Sequence, residues 1–395
     1  MRPLMLQILA VSWINLKSIP QRIWLSLSTV VAIGLVVTVL LAFLAMGNGF
    51  QRTIAGSGAN DIAVILRAGS RSELNSVITR DQLRLVEEGP GIASGPDGKK
   101  LVSAELYVTV DGIKRSSQTK ANLPFRGIGP ERAALRKDAR ILEGRMFQRG
   151  SNEIVAGKGL LKEFQGFELG QAVVFGTSRW TVVGIFDAGA SVFDSEIWAD
   201  LPVVQSLFNR NNVHQTFRAR LVDPAAIDQL RTYVETDPRL KLDAATEREY
   251  FADQASRTSD LIQNLGWPLA IAMAFGALAG ALNTMYSSVA SRSVEIATLR
   301  ALGFGGLPAF IGTLVEALAL AGIGAVLGAV ATMLAFDGLT TSTLGESFTQ
   351  VVFSFQVTPD LLVEGIVLAM IVGLIGGLFP AIRAARLPIV AGLQG

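Results

Sequence analysis

The residues best placed to do chemistry lie in a short polar stretch, Ser291–Gly303, which reads SRSVEIATLRALG between two long apolar segments. Arg292, Ser293, Glu295 and Arg300 supply its charge and polarity. Val294, Thr298 and Ala301 recur at helical spacing and share a face, while Glu295 and Arg300 point elsewhere. A short amphipathic helix between two spans lies at the membrane surface, where another protein can grip it. The expected chemistry is therefore contact with a partner protein; the duller reading is a solvated face of a surface loop. Catalysis finds no support. The sequence has no H-E-x-x-H, no G-x-S-x-G and no Cys. Its single histidine, His214, has no neighbouring ligand pattern and reads as an ordinary surface residue. No catalytic residue and no metal ligand is expected, and nothing points to a carboxylate-only site. Phosphate binding is equally unsupported: Gly98-Lys99-Lys100 and Gly157-Lys158-Gly159 lack the upstream Gly and the Ser/Thr of G-x-x-x-x-G-K-[ST].

The elements that must position this stretch follow from charge and hydropathy. The 395 residues are 50% hydrophobic and 17% charged, with a mean hydropathy of +0.42, too apolar for an ordinary soluble protein. Yet 28 of the 35 Lys and Arg, and 27 of the 33 Asp and Glu, lie between Asn48 and Asp260. The pattern is a polar domain inserted into a membrane protein. A net charge of +2 with no basic patch or basic helix carries no nucleic-acid signal, and no nucleic-acid partner is expected. Without Cys, structural disulfides and thiolate metal sites are excluded, and the redox compartment stays unread.

In chain order, residues 1–22 read as an interfacial helix ending at Pro20, with Leu4, Ile8, Val11 and Ile14 at helical spacing. Residues 23–47 form the first span. Ile23–Met46 carries no charge over 24 residues, enough at ~1.5 Å per residue to cross a ~30 Å hydrocarbon core and too long for the apolar region of a cleaved signal peptide. Residues 48–260 form the polar domain. Strands are expected at Asp61–Leu66 and Leu101–Val110, with an Asp111-Gly112 turn into another short strand, and a helix at Arg80–Glu88. Thr216–Leu221 reads as a strand, followed by a helix capped by Asp223 with Pro224 at its first position, and then a strand at Leu240–Asp243. Gly69–Ser76 and Gly89–Lys100 read as loops. The middle, Arg140–Asn209, is expected as a second, β-rich lobe with a hairpin around Gly176-Thr177-Ser178. Residues 261–290 form the second span, with Trp267 at its interfacial end. The polar stretch occupies residues 291–306, the third span 307–336, a polar loop 337–360, the fourth span 361–382 and the tail 383–395. The fold class is thus an α-helical membrane protein with four transmembrane helices and a large inserted α+β domain of two lobes.

The seven basic residues outside the large domain, Arg2, Lys17, Arg22, Arg292, Arg300, Arg383 and Arg386, place both termini and Ser291–Gly303 in the cytoplasm by the positive-inside rule. The large domain then lies on the far side. Inside the third span Glu316 is the intramembrane polar residue; a transport role is weighed against a structural one, protonated or hydrogen-bonded to Asn283, Thr284 or Ser287. Gly276 and Gly280, Gly324 and Gly328, and Gly373 and Gly377 repeat at i, i+4 and offer helix-packing seams.

Three sets of residues carry a resemblance. EIATLRALG, the following span with Glu316-Ala317-Leu318 and Gly322, Gly324 and Gly328, and the ending GLFPAIRAARLPIVAGL (Gly377–Leu393) resemble the FtsX-like permease domain of ABC transporters. GRMF (Gly144–Phe147), VAGKGL (Val155–Leu160) and WTVVGIFDAG (Trp180–Gly189) resemble the MacB-type periplasmic domain. The resemblance implies a multi-pass protein of the bacterial inner membrane with its large domain in the periplasm. It also implies a permease homodimer and a separate cytoplasmic ABC ATPase that binds the ATP and Mg²⁺, since this chain holds no cofactor of its own. Arg292, Glu295, Thr298 and Arg300 become the ATPase-coupling residues. A periplasmic adaptor with an outer-membrane exit duct is a further implied partner. Such a permease transmits ATP-driven motion mechanically to export or extract a peptide, lipid, lipoprotein or drug-like substrate. The alternative is an FtsX-like signalling scaffold that controls a periplasmic cell-wall hydrolase.

Overall fold

The uncharged run that begins at Ile23 forms the N-terminal part of a helix longer than the expected span. The computed structural model describes residues 2–136, 138–344 and 349–389, with only the backbone described at 2–3, 258–263, 265–267 and 270. Helix α1 (Arg2–Ser18) ends in a single 3₁₀ turn at Pro20, and α2 (Ile23–Ala55) follows. Strands β1 (Ile62–Arg67) and β2 (Ile78–Thr79) precede α3 (Arg80–Glu87). Thr79 and Gln82 close a capping box at the start of α3, the Thr79 N–H donating 2.9 Å to the Gln82 side chain. The hairpin β3 (Val102–Ile113) and β4 (Lys120–Ile128) comes next. Then follow β5 (Arg140–Gly144), β6 (Glu153–Gly157), α4 (Lys158–Glu163), β7 (Ala172–Phe175) and β8 (Ser178–Asp187). Strand β9 (Ile197–Asp200), α5 (Leu201–Leu207), β10 (Val213–His214), β11 (Thr216–Arg220), α6 (Ala226–Thr236) and β12 (Leu242–Thr246) complete the domain. The C-terminal part contains α7 (Glu247–Ser291), α8 (Ser293–Ala301), α9 (Gly306–Phe336), β13 (Thr340–Leu344), β14 (Gln350–Ser354) and α10 (Pro359–Arg386).

These elements divide into two compact units. One contains residues Met1–Asn48, Ile262–Leu339 and Phe355–Gly395; the other contains Gly49–Leu261 with Thr340–Ser354. The chain passes between them inside α2, inside α7 and at each end of the β13–β14 segment. In the second unit a ten-stranded mixed sheet runs β12-β1-β11-β3-β4-β9-β6-β8-β5, with β7 on β8. Pairs β4–β9 and β6–β8 are parallel and the rest antiparallel. Two separate apolar cores flank its middle. One gathers Ile65, Phe217, Ala219, Leu230 and Val234 under α6; the other gathers Phe125, Phe164, Trp180, Val182 and Ile197. The expected pair of lobes is therefore two cores on one continuous sheet.

Three expectations are corrected here. Asp111-Gly112 is no turn, because both residues pair with β4, opposite Asn122 and Ala121; the chain reverses at Arg115–Gln118 instead. Glycine at 112 answers to packing, since a Cβ there would sit 2.4 Å from the Leu123 side chain. Residues 337–360 are not simply a loop: β13 and β14 form an antiparallel hairpin, and Val352 joins the second core. His214 is buried, not on the surface. Burial, with Arg80 adding to it, lowers its pKa to about 4, so the ring is neutral at physiological pH. Among the described residues three helical stretches are long and apolar enough to cross a membrane: Leu4–Ala55, Gly306–Phe336 and Pro359–Arg386. Residues 261–290 lie within the 45-residue α7, but several of their side chains, Trp267 included, are outside the described residues.

Candidate functional site

Helix α8 is nine residues long and opens after a break at Arg292. It buries Ile296 and Ala297, and Ile296 packs in a cluster with Val289, Ala309 and Ala384. Its other side is open: Val294 is 49% and Leu302 73% exposed, and Glu295, Thr298 and Ala301 are exposed as well. The face formed by Val294, Thr298 and Ala301 thus points outward, and Glu295 shares it. The Thr298 hydroxyl donates 2.8 Å to the Val294 carbonyl, which leaves the outward face mostly apolar.

The two arginines of the stretch are turned inward, against expectation. Arg300 donates to the backbone carbonyl of Leu387, tying α8 to the residue after α10. Arg292 is only 4% exposed. Its Nη1 donates 2.9 Å to Glu316, its Nε 3.1 Å to Glu295 and its Nη2 to Asn15 of α1. Glu316 also accepts the Ser288 hydroxyl at 3.2 Å. Arg22 donates 3.1 Å to the Ser288 carbonyl and lies 3.8 Å from Glu295. Of the residues expected to hold Glu316, Thr284 and Ser287 bond instead to their own helix, at the carbonyls of Gly280 and Asn283. A guanidinium taken out of water stays charged, so it recruits a carboxylate and a carbonyl-type oxygen. Each nitrogen of Arg292 has an acceptor, and Glu316 is neither free for substrate nor left uncompensated. The cluster joins α1, α7, α8 and α9 under the exposed face. Chemically it is a clamp.

The glycines sort into two groups. A Cβ on Gly328 would sit 2.5 Å from the Gly34 carbonyl oxygen, and one on Gly324 2.8 Å from that of Val30, so α2 and α9 meet backbone to backbone. Gly373 and Gly377 are crossed by Ala321 and Ala317 of α9, at 2.4 and 2.5 Å. At Gly276 and Gly280 nothing lies within 4 Å, so that pair makes no seam among the described residues.

Sequence reasoning missed a second polar cluster. Arg126, Arg136 and Arg218 are buried in the large unit among Glu73, Glu105, Glu196 and Glu247. The available signal was charge at inward positions of apolar strands, as in Phe125-Arg126 and Phe217-Arg218. Lys158, weighed as a phosphate ligand, pairs with Asp187 and lies 3.7 Å from Asp194. Its neighbours Gly157 and Gly159 press against the Asp194 backbone, so the loop is a packing device. Among the described residues no group of three or more His, Asp or Glu is placed to hold a metal ion.

Residues 26–237 match the model of the MacB-like periplasmic core domain, and residues 268–389 that of the FtsX-like permease C-terminal domain. The chain belongs to the MacB/FtsX-like family of ABC transporter permeases. The resemblance read from Gly144–Phe147, Val155–Leu160, Trp180–Gly189 and the C-terminal ending is thereby confirmed. The permease is 26% identical over 273 residues to the macrolide export ATP-binding/permease protein MacB of Nitrosomonas europaea, across 64% of its own length and 40% of the relative's. It thus spans about two fifths of that relative. Among solved structures, the permease is similar to the periplasmic region of MacB from Actinobacillus actinomycetemcomitans, with 11% identity, 52% of this chain and 95% of that one, and a TM-score of 0.37. It is also similar to the extracellular domain of the noncanonic ABC-type transporter YknZ from Gram-positive bacteria, with 15% identity, 47% of this chain and all of that one, and a TM-score of 0.35.

Proposed function

We propose that this permease couples ATP hydrolysis by a separate cytoplasmic ATPase to conformational change in its periplasmic domain, and so exports or extracts a peptide, lipid, lipoprotein or drug-like substrate by mechanical transmission. The observation that carries this reading is the outward face of α8, Val294, Glu295, Thr298, Ala301 and Leu302, standing on the Arg292 clamp. A partner pressing on that face acts at once on α1, α7 and α9, because Asn15, Ser288 and Glu316 hold the base of the helix. The engagement of Glu316 by Arg292 also argues against a polar path through the spans. In this reading residues 261–290 are the second of four spans, two copies of the chain assemble, and a periplasmic adaptor and exit duct complete the route.

The structure changes which residues test it. Arg292 and Arg300 face the chain, so their loss harms folding and coupling together. Val294→Asp alters only the exposed face, whereas Glu295→Lys alters that face and also removes the Glu295 contacts to Arg292 and Arg22. Each is expected to lower the amount of ATPase that co-purifies with tagged permease at least tenfold, with membrane insertion unchanged. Wild-type recovery of the ATPase in both variants overturns the reading. A chain that keeps its ATPase, moves no substrate and switches a cell-wall hydrolase instead identifies the FtsX-like scaffold.

A further inference from the structure

The large unit contains a charged seam that neither apolar core requires. Arg126 of β4 is 1% exposed and uses all five of its N–H groups. Two go to Glu196 at 2.8 and 2.6 Å, two to Glu73 at 3.0 and 2.7 Å, and one to Glu105 at 2.9 Å. Arg218 of β11 reaches Glu73 at 2.8 Å, Glu105 at 3.3 Å and Glu247, the first residue of α7. Arg136 grips Glu105 at 2.8 and 3.2 Å. Three guanidiniums thus face four carboxylates.

The seam stands at the boundary between the lobes. Glu105 is the residue at which β3 changes partner: it pairs with Thr216 of β11, while the next residue, Leu106, pairs with Gly127 of β4. Glu73 and Arg218 come from the first lobe, Arg126 and Glu196 from the second, and the two apolar clusters share no residue. Well-packed apolar side chains would hold such a boundary at equal or lower cost, because ion pairs must first be stripped of water. What ion pairs add is a set of discrete alternative pairings. Two segments by which the chain enters or leaves this unit end on the seam. Tyr250 of α7 accepts the Glu73 N–H at 3.3 Å, and Thr349, next to β14, bonds the Tyr107 hydroxyl at 3.0 Å. The Tyr107 ring lies 4.7 Å from the Arg126 guanidinium.

We propose that this seam is a hinge through which α7 and the β13–β14 hairpin turn one lobe of the domain against the other, with Arg126 and Arg218 as its positioning residues. The inference rests on the coupling function above for its purpose, but its mechanics are tested without any partner. The chain has no Cys, so spin labels attach only where Cys is introduced. Lys162→Cys on α4 and Thr236→Cys on α6 are both exposed and sit on opposite lobes. In full-length permease in lipid nanodiscs the parent is expected to give one narrow inter-label distance. Arg126→Lys keeps the charge but loses the five-way fork, and Glu247→Gln is isosteric and releases Arg218. Each is expected to broaden the distribution or add a second peak several ångströms away. Val182→Ala, a cavity in the second core, is expected to lower heat stability without moving the distance. If Arg126→Lys does not fold, Glu247→Gln decides. A parent-like distribution in Glu247→Gln, or broadening by Val182→Ala equal to that of the seam variants, overturns the hinge. Repeating the measurement with co-purified ATPase and ATP separates the two readings. A parent distance that ignores nucleotide overturns the coupling function, while the variant comparison still decides the hinge.

Discussion

A guanidinium removed from water has to bring its acceptors with it, and the carboxylates it recruits titrate accordingly. In the domain seam, burial alone would raise Glu73, Glu105 and Glu247. Against that, Arg136, Arg126 and Arg218 hold Glu105 down at about 2, and Arg126 with Arg218 keeps Glu73 below the ordinary range. Glu247 goes the other way: burial raises it, and Arg218 offsets only part of the rise. The signs differ in consequence. Glu105 and Glu73 contribute stability that is complete above the ordinary glutamate value of 4.5 and is lost as pH falls toward their folded values. Glu247 makes the folded state less stable as pH rises through its raised value, and lowering the pH relieves that. Thermal unfolding of the full chain as pH rises above the ordinary value of 4.5 is therefore expected to show Glu247→Gln flattening that loss. Glu105→Gln is expected to cost about 3–5 kcal/mol at pH 7, because it leaves three buried arginines under-compensated, with the difference shrinking below pH 4. An unchanged pH slope in Glu247→Gln removes Glu247 from this account.

At the scale of elements, α9 is the helix on which the others of its unit pack, and its small residues set how closely. A Cβ on Gly328 would meet a backbone oxygen of α2 at 2.5 Å, where there is no flexible side chain to give way. Gly328→Ala is expected to separate α2 from α9 and cost about 1–3 kcal/mol, read as a lower unfolding temperature in detergent. Gly276→Ala, with nothing within 4 Å, is expected to leave the monomer unchanged. Equal effects of the two substitutions would count against the seam. The sheet ends are managed differently. Terminal strand β12 has its Ala244 carbonyl taken by Arg231 at 2.9 Å and its Thr246 N–H by Glu249 at 3.0 Å. Terminal strand β5 has a register shift after Ile141. Both devices discourage a further strand from adding on.

For the whole molecule, the distribution of charge carries the orientation. All seven basic residues outside the large domain fall in the N-terminal segment, the α7–α9 connection and the C-terminal tail, and none falls in residues 337–360. An alkaline phosphatase fusion at Asp223 is therefore expected to be active and one at Arg386 inactive; the reverse pattern would invert the orientation. The β13–β14 hairpin belongs to the same unit as Asp223, so a cysteine at Thr341 is expected to be labelled from the same side as one at Thr236.

The sequence by itself determined what repeats or segregates. The uncharged run of Ile23–Met46, the concentration of charge in residues 48–260, the helix at Arg80 and the turn at Gly176 are properties of neighbours in the chain, and they are where they were expected. So were the motifs that carry the family. Partner choice was decided by tertiary structure. Arg292 was legible as a surface cation because nothing local shows that Glu316, 24 positions on, and Asn15, 277 positions back, converge on it. The same holds for Arg126, Glu73 and Glu196, each an ordinary charge in its own segment. Asp111-Gly112 carries a turn signature, but β4 offered it cross-strand partners, and pairing prevailed over local turn preference. A long-range ion pair is stabilised by the fold that excludes water around it, so it leaves no period in the sequence to be read.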